Sequence, residues 1–147
     1  MPIDSLLELV DGSVAYTAAT DTPATSTTRD AATGAAVIDL GPGTGMKGLV
    51  AVLYMPDDAD GATDTLTAFI EVSSVVNFAS DVSEVGKFDV AAATKGVIVG
   101  SEMPTTAMLK FMTDKRYVRL NGTVGASPDS FGNVRCWLNP HAYKNSI

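Results

Sequence analysis

Short apolar segments recur along this chain, separated by Gly, Pro, Asp and Ser. Leu66, Ala68, Ile70 and Val72 alternate with Thr65, Thr67, Phe69 and Glu71, the period of a half-buried strand. In residues 117–124, Val118 and Leu120 face one way, while Arg119, Asn121 and Thr123 face the other. Residues 131–138 repeat the pattern, with Val134, Cys136 and Leu138 opposite Asn133, Arg135 and Trp137. Residues 47–55 are nearly continuously apolar, as in a strand covered on both faces. That run ends at Pro56 and the turn-rich residues 57–64. A strand over 35–40 is stopped by Gly41, Pro42 and Gly43. Residues 88–92, 96–100 and 108–112, with a weak 14–17, complete about eight or nine strands. Their spacing is that of a sandwich or barrel.

The pattern therefore predicts an all-β, antiparallel two-sheet sandwich. The opening residues 1–12 form an N-terminal arm: Ile3, Leu6, Leu7 and Val10 fall at helical spacing, but the segment is short and equally suits an extended arm. Residues 17–34 are rich in Ala and Thr and nearly free of large apolar side chains. They are expected to be an exposed excursion that adds little core and takes its order from a partner.

At 147 residues the chain has the length of one domain, with 46% hydrophobic and 18% charged residues, which excludes disorder. No stretch of about 20 apolar residues is present, so no membrane helix is expected. The first residues lack the basic and apolar regions of a signal peptide. The net charge of −7 disfavours nucleic acid and anionic membrane as partners. Residues 1–64 hold 10 acids and 2 bases, a balance of −8, whereas residues 65–147 hold 7 and 8, a balance of +1. The unevenness suggests either complementary surface patches or ordinary solvated charge.

Catalytic chemistry is sparse. Cys136 and His141 are the one cysteine and the one histidine, which excludes an internal disulfide and a multi-histidine metal site. Cys136 lies on the apolar face of its strand, where a buried inert thiol is expected. The glycine-rich residues 41–45 lack the Lys-Ser/Thr ending of a phosphate-binding loop and read as a turn. Asp57, Asp58, Asp60 and Asp64 offer hard oxygen ligands of the calcium type, yet Pro56 and the missing closing Glu break the EF-hand pattern. A solvated acidic turn is the expectation there. Asn121-Gly122-Thr123 matches a glycosylation sequon. No metal, no cofactor and no catalytic residue is assigned, and the chain is expected not to be an enzyme. Trp137 on a polar face, and Arg116 with Tyr117 in a basic aromatic stretch, are either interface anchors or side chains packed beneath loops.

Three stretches together carry a resemblance: DGSVAYTAAT at 11–20, AAVIDLG at 35–41 before the apolar 47–55, and RYVRLNGTVG at 116–125 before a strand ending in Trp137 and Leu138. Their order and spacing resemble the small jelly-roll capsid cement, or decoration, proteins of tailed bacteriophages, in particular those of short-tailed phages. This chain departs from that pattern by inserting residues 21–34. The resemblance implies a single jelly roll over 1–147 and a virion protein on the outer capsid surface, made in the host bacterial cytoplasm. Its implied partners are the major capsid protein, across subunit junctions, and itself as a dimer or trimer. The expected contacts are Ile3, Leu6, Leu7 and Leu9 with the excursion, and Arg116, Tyr117 and Trp137. The alternatives are a tail or receptor-binding β-module that contacts host glycans, and a small enzyme on the same scaffold.

Overall fold

The computed structural model describes residues 5–43, 45–56, 65–91, 105–125 and 131–140. A 3-10 turn at Ser5–Leu7 leads into eight strands: β1 Glu8–Asp11, β2 Ile38–Asp39, β3 Lys47–Met55, β4 Thr65–Ser73, β5 Ser83–Ala91, β6 Thr105–Thr113, β7 Tyr117–Gly125 and β8 Arg135–Pro140. They form two four-stranded antiparallel sheets, ordered β1-β8-β3-β6 and β2-β7-β4-β5. The fold is thus the expected all-β two-sheet sandwich. The pairing is nested along the chain, β1 with β8, β2 with β7, β3 with β6 and β4 with β5. The expected strand at 96–100 and the acidic residues 57–64 lie outside the described residues, as do Ile3 and His141.

Period-two patterning builds the core. Leu66, Ala68, Ile70 and Val72 of β4 face inward with Val118, Leu120 and Val124 of β7. The opposing sheet contributes Leu49, Ala51, Leu53 and Met55 of β3 and Cys136 and Leu138 of β8. Side chains of this size each contribute roughly 1.5–3 kcal/mol on burial. β3 is less continuous in its burial than its composition suggests: Val50 and Tyr54 on the outward parity are half-buried, and Val52 is buried.

Four segments depart from expectation. Residues 8–11 are not part of an arm. A bulge between Glu8 and Val10 buries both Leu9 and Val10, at 1% and 2% exposure. Residues 35–38 are buried throughout, yet only Ile38–Asp39 is strand. The run crosses from one sheet to the other: Ala35 bridges Val10, and Ile38 pairs with Val118. A segment that changes sheets cannot hold one ladder, which is why the strand is short. Residues 14–17 form no strand, although Tyr16 exchanges backbone bonds with Phe131 and Gly132. β8 begins only at Arg135, because Gly132 takes a φ of 69° and turns the chain before it.

The excursion at 17–34 is mostly exposed and irregular, as expected. It is anchored by hydrogen bonds within this chain. Asp21 accepts the Val124 N–H at 3.0 Å, Ala24 O accepts from Arg119 at 3.1 Å, and Ser26 O accepts the Val37 N–H at 2.8 Å. Arg29 donates to Gly34 O at 2.7 Å and Glu8 O at 2.8 Å.

Tyr16 closes one end of the core at 5% exposure, with its ring against Gly122 on the inward face of β7. A Cβ at Gly122 would collide with the Tyr16 hydroxyl. Gly122→Ala is therefore expected to destabilise the fold by about 1–3 kcal/mol. Urea unfolding checks this, and an unchanged midpoint counts against the contact.

Candidate interaction site

The two sheets present different outward faces. On β2-β7-β4-β5, Arg119 donates to Glu71 at 2.7 Å, Asn121 donates to the same carboxylate at 2.9 Å, and Arg119 stacks on Phe78 at 4.2 Å. With Ala24 O above it, Arg119 fixes the excursion over this sheet. The Asn121 amide of the sequon is thereby engaged and part-buried. This face is polar and largely covered.

The outward face of β1-β8-β3-β6 carries an apolar patch among polar side chains. Strand register places Met108, Val52, Trp137 and Glu8 in one cross-strand row. Rows beside it hold Thr106, Tyr54 and Arg135, then Lys110, Val50 and Asn139, then Met112 beside Gly48. Met108 is 74% exposed, Met112 50%, and Met46, just ahead of β3, 60%. Flexible polarisable side chains at this exposure suit an adaptable contact surface. Trp137 stands half-buried on this face, outward as its strand parity requires. Pattern reading found Trp137 and missed the methionines. In β6 both parities are apolar, and the signal that separates them is Lys110, which shares its parity with Met108 and Met112.

The remaining sequence-predicted contacts scatter. Leu9 belongs to the core at 1% exposure, so this chain leaves it no surface for a partner. Leu7 is half-buried against the same core. Leu6 is 78% exposed. It lines a cleft of about 380 Å³ with Thr27, Arg29, Val37, Ile38 and Asp39. The charged groups of that cleft are occupied within the chain. Arg29 pairs with Asp11 at 3.5 Å, and Asp39 receives Arg116 Nε at 2.8 Å and Nη2 at 2.7 Å. Arg116 also lies over the Tyr117 ring at 5.0 Å. Arg116 and Tyr117 are therefore engaged with Asp39 and with each other.

The uneven charge along the chain is matched in part within it: two of the four ion pairs made by the later bases reach the acidic first half. Asp39 with Arg116, Glu8 with Arg135, Glu71 with Arg119 and Asp81 with Lys115 are all ion pairs. Four of the bases between residues 110 and 147 are thus neutralised by acids earlier in the same chain. The glycine-rich stretch turns as expected at Gly41, which has a φ of 80° and whose N–H reaches Asp39 Oδ1 at 2.8 Å. Among the described residues no three His, Cys, Asp or Glu side chains converge as a metal site, and no helix is long and apolar enough to cross a membrane.

Titration follows from this wiring. Hydrogen bonds from Arg116 hold the Asp39 carboxyl below its ordinary value, and Lys115 does the same for Asp81. Burial of Asp11 opposes ionisation, but the Ser13 hydroxyl and amide and the Arg29 cation outweigh it and lower its pKa. Burial raises both the Cys136 thiol and the Tyr16 phenol, the latter with Asp21 adding to the effect.

A carboxyl depressed in the folded state contributes stability above its unfolded value and loses it as pH falls toward the folded one. The melting temperature is therefore expected to drop as pH falls below the ordinary carboxyl value of 3.8. A thiol or phenol raised in the folded state contributes fully below its unfolded value and loses that contribution as pH rises. A second decline is thus expected above the ordinary thiol value of 9.0 and phenol value of 10.0. Thermal melts across pH read both arms, and a flat alkaline arm counts against the burial of Tyr16 and Cys136. Cys136 is expected not to react with a thiol reagent such as DTNB until the chain is unfolded. Compared with known protein families, curated proteins and solved structures, the chain matches none.

Proposed function

We propose that the protein is a structural virion component, a capsid decoration protein. In this reading it binds the outer surface of a phage head across junctions of the major capsid protein and stabilises the shell. The observation that carries the reading is the outward face of β1-β8-β3-β6, where exposed Met108 and Met112 and half-buried Trp137 form an apolar patch. Surfaces of this kind mark protein contacts. The nested strand pairing supports the finer assignment of the sandwich as a jelly roll, because an eight-strand hairpin rolled into two sheets pairs its strands in this order. The stretches at 11–20, 35–41 and 116–125 add the family resemblance.

Attachment works by multivalency. A single contact of a few kcal/mol does not hold against shell expansion. Several copies engaged on neighbouring subunits raise the effective concentration of each contact, so modest surfaces sum to durable binding. In this scheme Trp137 and its methionine neighbours supply the apolar contact, and Leu6 supplies a second.

A tail or receptor-binding module that contacts glycans is the second reading. In its favour stands a pocket of about 170 Å³ in the excursion, lined by Thr22, Ser26, Thr28, Asp30 and Thr33. Hydroxyls and a carboxylate suit a sugar, but among the described residues no aromatic ring lines this pocket to stack on one.

Co-sedimentation with decoration-free phage heads tests the reading. Wild type is expected to pellet with the heads, and Trp137→Ala to bind about tenfold or more weakly while keeping its melting temperature near wild type. Failure of wild type to pellet, alongside retention on host-surface glycans, overturns the proposal in favour of the receptor reading. Leu6→Ala is the variant for the N-terminal segment. Deleting residues 1–10 would remove most of β1 and test folding instead.

A further inference from the structure

The four sheet edges are treated differently. β1 is four residues long and bulged, and the excursion covers it: Asp11 N–H donates to Gly34 O, and Ala36 N–H donates to Leu9 O. β2 is two residues long. β5 breaks register between Ile70 and Glu71 of its neighbour and carries exposed Glu84 and Lys87. Shortness, bulges and charge are the usual means of keeping an edge from pairing. β6 has little of this protection. It runs nine residues in unbroken register with β3, without Pro or Gly, and Lys110 is its one charge. Among the described residues no strand pairs with its far side.

Phe111 and Thr113 of β6 are buried inward, but the first half of the strand is underburied on both faces. Met108 and Met112 project outward and are exposed. Ala107 and Leu109 project inward, yet they too are only partly buried, as is Val85 of β5 across the seam. Leu109 packs closely on Gly86, where a Cβ would collide with it, so it meets β5 backbone there and no larger side chain. A partner lying flat on the outer face would cover the methionines and leave Ala107, Leu109 and the backbone edge open. One added strand covers all three at once.

We propose that β6 pairs antiparallel with β6 of a second copy, joining the two β1-β8-β3-β6 sheets into one across a two-fold axis. Charge favours a second copy at this edge. The chain carries −7 overall, so two copies repel, but residues 105–113 hold no acid and one base. Repulsion is therefore weakest here. Antiparallel pairing centred on Leu109 sets Met108 against Lys110 of the other copy and Thr106 against Met112, so the lysines do not face each other. The contact is isologous and closes on itself, leaving no edge from which a fibre grows. It brings the two methionine faces side by side.

The test uses the full chain alone, without heads, so its failure is separate from failure of the capsid reading. Light scattering is expected to give twice the 15.2 kDa of one chain. Hydrogen exchange at rising concentration is expected to slow in β6 and not in β5. Met108→Lys with Met112→Lys is expected to raise the dissociation constant about tenfold or more. Far-UV circular dichroism checks that this variant folds, and the wild-type exchange series decides the matter if it does not. A wild-type monomer up to ~1 mM overturns the pairing. So does a trimer, because an isologous edge pairs once, and so does a dimer whose β6 amides stay unprotected. β6 amides that become protected only on heads would assign the edge to a strand of the capsid and overturn the second-copy proposal.

Discussion

Backbone N–H and C=O groups at a sheet edge must find partners, and that demand organises this sandwich from its margins inward. At β1 the demand is met by residues remote in sequence. Arg29 reaches Glu8 O and Gly34 O while pairing with Asp11, and residues 34–36 supply the remaining backbone bonds. This seals one flank and also fixes the excursion, which has no core of its own. From there residues 35–38 cross to the second sheet, tying the two layers together where β1 and β2 end. On the opposite flank no described residue plays the part of Arg29, and there β6 retains apolar side chains in partial contact with water on both faces. Among the described residues the sandwich therefore has one covered flank and one uncovered flank.

Its two broad faces repeat that contrast. Over β2-β7-β4-β5, Glu71 binds both Arg119 and Asn121, and the Arg119–Phe78 stack leaves little polar demand unmet. Over β1-β8-β3-β6, Val52 lies in register between Met108 and Trp137, and exposed methionines flank the row. The ion pairs Asp39–Arg116 and Glu8–Arg135 draw acids and bases from opposite ends of the chain into local neutrality. These two clamps tie what reads along the sequence as an acidic half to its basic third.

The strands with one polar face were legible because period-two alternation is unambiguous when Arg119 or Asn133 marks the outside, as in β7 and β8. β6 was legible as a strand but not in its orientation, since Met108 and Leu109 are equally apolar and Lys110 alone separates the parities. Leu9 misled for a different reason. A bulge lets two consecutive residues turn inward, and no periodic template contains a bulge. The excursion was legible as irregular, but its anchors were not. They join Arg29, Ala24 and Asp21 to groups up to a hundred residues away, and such pairings have no local signature. Trp137 was legible as an oddity on a polar strand face; the apolar row around it required the register of three strands.

The nested pairing also governs how the chain reaches this structure. β4 and β5 are neighbours in sequence and close a short loop, whereas β1 waits for β8, whose Arg135 partners Asp11 from across almost the whole chain. Loop-closure entropy rises with that separation, and topologies dominated by distant pairings fold slowly. Synthesis proceeds from the N-terminus, so Leu9 and Val10 emerge well before the β8 strand they pair beside. During that interval the most apolar part of β1 is exposed in an unfinished molecule. The Glu8 and Asp11 carboxylates on either side of Leu9 and Val10 keep that segment charged until Arg135 arrives to meet Glu8.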